Sequence, residues 1–166
     1  MALKFTAEER ARADRAQILE EPIDKPRRLF FYGSLMDPEV LQTILRLPKP
    51  PSMEKGRIVG YKVRMWGIYP TLVPDAGTTV LGTVWVSTKY TDLLSLQRYE
   101  TSAYKLCECQ VILDGHGVDT VVEGLTFCWA GDPQSRDLQD GEFDFERYQK
   151  YFKPSVVRRP PHWKQT

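Results

Sequence analysis

No stretch constrains the fold of this chain more than Arg28-Leu29-Phe30-Phe31-Tyr32-Gly33-Ser34-Leu35, followed after one residue by Asp37-Pro38-Glu39. A short apolar run bounded by Gly33 and Ser34 predicts a buried strand ending in a tight turn. Asp37 then offers an N-cap oxygen, Pro38 suits the first helical position, and Glu39 places an acid where the helix dipole favours one. The expected helix turns Val40, Leu41, Ile44 and Leu45 inward and stops before the loop Leu47-Pro48-Lys49-Pro50-Pro51. A strand that breaks at Gly-Ser before a capped helix leaves successive backbone N–H groups unpaired. Such groups converge readily on an anion or a carboxylate. Gly33 permits close backbone approach, and Ser34 adds a hydroxyl.

Beyond this unit the pattern turns to strands. Arg57–Val63 and Val80–Val86 read as strands, with the Gly67, Pro70, Pro74 and Gly77 stretch between them as turns and irregular strand. Thr91-Asp92 predicts the cap of a short helix that holds Leu93, Leu94 and Leu96 and ends near Tyr99. Tyr104–Leu113 alternates apolar with polar, Asp114-Gly115-His116-Gly117 signals a hairpin turn, and Thr120–Trp129 is the return strand. A last helix follows Gly141 and carries Phe145, Tyr148, Tyr151 and Phe152. Residues 1–28 read as a charged extension with a helix from about Thr6 to Glu20, and residues 154–166 as a basic, proline-rich tail. The core unit, residues 29–153, is therefore expected to be α+β, a small mixed β-barrel or curled sheet crossed by helices.

The bulk properties narrow the function classes. With 166 residues, 42% hydrophobic and 27% charged, the chain makes one globular domain. A net charge of +1 gives no general attraction to nucleic acid or acidic lipid, so Trp66, Trp85 and Trp129 are expected to pack rather than stack on bases. No run nears the roughly 18 apolar residues of a membrane span, and the N-terminus lacks the apolar stretch of a secretory signal. Cys107, Cys109 and Cys128 are too few and odd in number for a disulfide framework; a cytoplasmic location is expected. Their spacing differs from zinc sets, which put two to four residues between cysteines. Neither metal nor cofactor is expected.

Glu100 is the second chemical feature. It stands where the Leu93–Tyr99 helix runs out, a place the helix dipole disfavours for an acid. On position alone it could simply face solvent. Flanked by Tyr99 and Tyr104, it could instead sit in a partly apolar pocket, where desolvation would raise its pKa toward the range of a useful base.

Together these features resemble the gamma-glutamyl cyclotransferase-like family, which pairs a Tyr-Gly-Ser-Leu type turn with a Glu-Gly-Ser-x-Tyr type segment. This chain has Tyr32-Gly33-Ser34-Leu35 and Glu100-Thr101-Ser102-Ala103-Tyr104 at similar separation. Trp129-Ala130-Gly131-Asp132-Pro133 and Gly141-Glu142-Phe143-Asp144-Phe145-Glu146 are similar to the plant and fungal avirulence-induced-gene-like branch. The chain departs from the pattern at Thr101, where the family has glycine, and at Gln97, where it often has an acid. A β-branched threonine is expected to keep position 101 out of positive φ.

The resemblance implies release of 5-oxoproline from a small γ-glutamyl substrate, without a cofactor. It assigns Glu100 as general base, the N–H groups of Gly33, Ser34 and Leu35 as the grip on the α-carboxylate, and Tyr32 and Tyr104 as pocket walls that donate hydrogen bonds. Glu100→Gln is then expected to abolish turnover with the melting temperature nearly unchanged. Two other readings share the scaffold: a catalytically silent binding protein, and an acid–base enzyme for a different amide or specialised metabolite. Oligomeric state is not legible in the sequence.

Overall fold

The computed structural model describes residues 22–115 and 118–157; the helix expected over Thr6–Glu20 lies outside them. The elements run β1 (Arg27–Phe31), α1 (Pro38–Leu45), β2 (Glu54–Trp66), β3 (Tyr69–Ser87), α2 (Tyr90–Glu100), β4 (Tyr104–Leu113), β5 (Thr120–Trp129), β6 (Gln139–Asp140), α3 (Phe145–Tyr151) and α4 (Lys153–Val157). The sheet order is β3-β1-β5-β4-β2-β6, and β2 also pairs with β3. Five strands therefore close into a barrel, with β6 added outside on β2. The β1–β5 pair is parallel and the other pairs antiparallel. The fold is the α+β mixed barrel that the element order suggests.

Strand β1 is buried on both faces because each face meets a core. Leu29 and Phe31 pack with Val40, Leu41, Leu93 and Leu96 between the barrel and the helices. Phe30, and Tyr32 just past the strand, pack with Ile58, Leu72, Val80 and Val111 inside the barrel. Two cores explain why the sequence shows a continuous apolar run there rather than alternation.

The middle of the chain is more regular than its prolines suggest. β2 and β3 form one long hairpin turning at Gly67-Ile68, and Pro70 and Pro74 lie inside β3 opposite Met65 and Tyr61. β1 pairs only with residues 83–87 of β3, so the prolines fall where β3 pairs with β2 alone. Proline tolerates such an edge. Gly60, at φ +95°, accompanies a register shift between Val59 and Tyr61. A bulge of this kind bends its strand, and the arm beyond it reaches the cavity described below.

α2 begins at Tyr90, ahead of the Thr91-Asp92 cap expected from the sequence. Lys89 at the N-cap gives no side-chain bond. Asp24 supplies the cap from a distance, accepting the Tyr90 N–H at 2.9 Å. Asp92 is buried and accepts from the Ser87 hydroxyl at 2.8 Å.

Asp37 does cap α1, accepting from the N–H groups of Glu39 at 2.9 Å and Val40 at 3.2 Å. Its second oxygen takes Gln149 Nε2 and Lys153 Nζ, each at 2.9 Å. One buried carboxylate thus ties α1 to α3 and α4. Burial alone would raise its pKa, but the bonds from Lys153, Gln149 and Val40 outweigh burial and hold it below the ordinary value. An acid depressed in this way stabilises the fold above its unfolded pKa and loses that contribution as pH falls through the folded one. Asp37→Ala should cost about 2–4 kcal/mol, from a lost cap and a broken buried ion pair. The drop in urea midpoint should be larger at pH 7 than at pH 3. The segment read as a tail from Pro154 continues as helix to Val157.

Candidate active site

A cavity of about 490 Å3 opens where the barrel meets the helices. The turn after β1 lines it with Tyr32, Gly33, Ser34 and Leu35, and the end of α2 with Tyr99, Glu100 and Thr101. Tyr104 enters from β4, Trp66, Ile68, Tyr69 and Pro70 from the hairpin arm, and Tyr148, Phe152, Ser155 and Val156 from the C-terminal helices. The structure therefore brings Tyr32, Gly33, Ser34, Leu35, Glu100 and Tyr104 around a single space.

The turn departs from a direct strand-to-helix step. Ser34–Met36 form one 3-10 turn before α1. The N–H groups of Met36 and Asp37 bond back to the carbonyls of Gly33 and Ser34 at 3.0 and 3.1 Å. The N–H groups of Ser34 and Leu35, at the start of that turn, lie outside its own bonding. Gly33 has φ −124° and ψ −140°, and packing asks for a glycine there: a Cβ would stand 2.9 Å from Pro70 Cγ.

The tyrosines wall the cavity, but two of them do not offer the protons expected of them. The Tyr32 hydroxyl donates to the Phe127 carbonyl at 2.5 Å, and the Tyr104 hydroxyl to the Pro70 carbonyl at 2.9 Å. A phenol has one proton to give, so both are anchors rather than donors to a ligand. Hydroxyl donors not committed to a backbone carbonyl are Ser34 Oγ and the Tyr99 hydroxyl, 2.7 Å apart. Tyr148 brings a third buried hydroxyl beside them, which interacts with both Tyr99 and Ser34. Spacing alone gave no sign of Tyr148, Phe152 or Val156, which come from helices distant in sequence. The Trp66-Gly67-Ile68-Tyr69 tip was more open to notice, since it exposes apolar groups at a glycine turn.

Glu100 is the last residue of α2. Burial pushes its carboxyl up to about 7, and among the described residues no cation lines the cavity to oppose that. Its charge in turn adds to burial in raising the phenols of Tyr32 and Tyr104. A carboxyl that titrates near neutrality can take a proton and return it.

Position 101 overturns the expectation drawn from threonine. Thr101 has φ 67° and ψ 178°, a region occupied almost only by glycine. Bonds on either side hold it there. Its N–H donates to the Gln97 carbonyl at 3.1 Å, and its carbonyl accepts from the Tyr104 N–H at 3.3 Å. Gln97 Nε2 also reaches the Tyr104 carbonyl at 3.4 Å, a donation that an acid at 97 could not make. Such a conformation stores about 1–3 kcal/mol, against about 0.5–1 kcal/mol for the extra freedom of an unfolded glycine. Thr101→Gly should therefore raise the melting temperature by about 2–4 °C and leave Glu100 in place.

A family model described as gamma-glutamyl cyclotransferase, AIG2-like, matches residues 29–147. AIG2-like protein C of Arabidopsis thaliana is 31% identical over 133 residues, spanning 78% of this chain and 73% of that protein. An Arabidopsis thaliana protein solved in solution aligns with a TM-score of 0.59 at 21% identity, over 85% of this chain and 81% of the other. A yeast gamma-glutamyl cyclotransferase specific to glutathione aligns with a TM-score of 0.53 at 15% identity, over 86% and 91%. The two structural likenesses speak for the fold.

Proposed function

The chain belongs to the AIG2-like gamma-glutamyl cyclotransferase family, and from that premise we propose that it converts γ-glutamyl amides to 5-oxoproline and a free amine, with Glu100 as general base. The observation that carries this reading is a carboxyl raised to about 7 that shares one cavity with the Tyr32–Leu35 turn. The volume, about 490 Å3, suits a small metabolite.

The reaction asks little of the protein, because nucleophile and electrophile belong to one molecule. Well-oriented intramolecular attack is worth about 7–11 kcal/mol. The N–H groups of the turn grip the α-carboxylate and fold the glutamyl chain, bringing the neutral α-amine onto the γ-carbonyl. As the new C–N bond closes the lactam, the amine nitrogen sheds a proton to Glu100. As the old amide C–N bond breaks, Glu100 returns that proton to the departing nitrogen. Protons balance over the cycle. Ser34 and Tyr99 supply the hydroxyl donor that the anchored Tyr32 and Tyr104 cannot.

The test is to incubate the protein with γ-glutamyl amino acids, glutathione, γ-glutamyl-lysine and simple γ-glutamyl amides, and to measure 5-oxoproline. Product from any of them supports the reading. Its absence from all returns the protein to the other two readings, a silent binding protein on this scaffold or an acid–base enzyme for another amide.

A further inference from the structure

The Asp37 carboxylate joins two walls of the cavity that lie far apart in sequence. On one side its Oδ1 caps α1 through the N–H groups of Glu39 and Val40. The N–H of the same residue closes the 3-10 turn on the Ser34 carbonyl at 3.1 Å, so Asp37 fixes the turn that lines the cavity. On the other side its Oδ2 accepts from Gln149 Nε2 and Lys153 Nζ, each at 2.9 Å. Lys153 Nζ also reaches Glu39 Oε2 at 3.6 Å.

Gln149 and Lys153 each follow a cavity residue by one position, Tyr148 and Phe152. Helical spacing turns this offset into two neighbouring stripes. Tyr148, Phe152 and Val156 line the cavity, with the first two rings stacked at 6.3 Å, while Gln149 and Lys153 hold Asp37. Burial holds this wall only lightly. Among the described residues α3 buries Tyr148 alone and α4 buries none, and Phe152 and Val156 are partly buried. Segments with few buried apolar contacts open at low free energy, so the place of the wall rests heavily on its polar bonds. With Lys153 21% and Asp37 2% exposed, their ion pair is screened far less than a surface pair. The residues matched to the family, 29–147, end just before this wall.

Resting on the function proposed above, we infer that Lys153 and Gln149 are positioning residues for substrate binding: through Asp37 they lock the wall of Tyr148, Phe152 and Val156 to the turn that grips the α-carboxylate. Wall and turn then enclose the glutamyl chain as one unit. Neither side chain lines the cavity. Losing the lock leaves proton transfer at Glu100 as it is and weakens the enclosure.

Lys153→Met keeps the length of the side chain and removes its charge. Measured with the compound of the panel above that gives most 5-oxoproline, its KM should rise about tenfold, within the range of coupling between two sites. Its kcat should hold, as when binding common to ground and transition state is lost. Lys153→Arg makes the same charge-assisted bond and should bring KM back close to that of the parent chain. Gln149→Met should raise KM less, in the same direction. Lys150→Met is the control: it makes the same charge change on the same helix, but Lys150 lies over the Tyr151 ring, so KM should not move. A fall in kcat at unchanged KM, or equal rises in KM for Lys150→Met and Lys153→Met, overturns the positioning role and leaves the function standing. If the parent chain makes no 5-oxoproline from any compound, the function falls and amide hydrogen exchange decides the lock by itself. Faster exchange in Lys153→Met at residues 148–157 and at Ser34–Met36 together, absent in Lys150→Met, keeps it. Faster exchange at the wall alone, or at neither, overturns it.

Discussion

Glu100→Gln is expected to lower 5-oxoproline formation by about 10²–10⁴-fold and, above pH 7, to melt at a higher temperature than the parent chain. The loss follows from removing the group proposed to carry the proton from the attacking amine to the leaving one. The gain follows from the cause of the pKa shift. Burial lifts the carboxyl from 4.5 to about 7, so the folded state holds its proton more tightly than the unfolded chain does. Below pH 4.5 the group is neutral in both states and the shift costs nothing. Between 4.5 and about 7 the unfolded chain ionises first, and stability falls as pH rises. Above 7 the penalty is complete, up to about 3 kcal/mol at 1.36 kcal/mol per pKa unit. Glutamine has no charge to desolvate. The variant should thus gain about 5–10 °C at pH 8 and almost nothing at pH 4, whereas sequence reasoning alone expected no change. Melting curves across that range, with kcat/KM rising through a midpoint near 7 in the parent chain, check both halves. A higher melting temperature at pH 8 with activity retained would leave a buried acid with no part in catalysis.

What the sequence made legible was local or periodic. The Asp37-Pro38-Glu39 start needs only its own neighbours, so α1 and its cap could be read directly. The pairing of β4 with β5 follows from alternation and a turn signal. Features that depend on a partner element were not readable. Pro70 and Pro74 look like strand breakers until the limited reach of β1 along β3 is known. The cap of α2 comes from Asp24, 66 residues away. For the site, Glu100 and the Tyr32–Leu35 turn were visible as chemical types. The direction in which Tyr32 and Tyr104 spend their protons depends on the carbonyls of Phe127 and Pro70, which no spacing rule reaches. Thr101 is the sharper case. Its propensity argued against positive φ, and bonds to the elements on either side override it.

Gly82→Ala should be the most damaging single-methyl change, and the damage should reach the site from below. Gly82 pairs with Gly56 across β2 and β3. A Cβ on it would stand 2.1 Å from the Phe31 carbonyl oxygen and 2.6 Å from Phe30 Cζ. Neither neighbour can easily move. Phe30 is 1% exposed in the barrel core, and its carbonyl accepts from Thr126 Oγ1 at 3.0 Å. The Phe31 carbonyl is backbone, one residue before Tyr32 and the turn. Overpacking a close-packed interior costs about 1–3 kcal/mol, and more where backbone must shift. We expect about 3 kcal/mol or more here, a large part of a typical domain's 5–15 kcal/mol. Gly77→Ala is the control: it has open space around it but a φ of +83°, so it should lose only about 1 kcal/mol and keep its KM. For Gly82→Ala the urea midpoint should fall much further. In the fraction that folds, KM should rise, because the strand that yields is the one that carries the turn. Equal losses in the two variants would mean that the barrel absorbs the methyl without moving β1, and that the turn is not supported from this side.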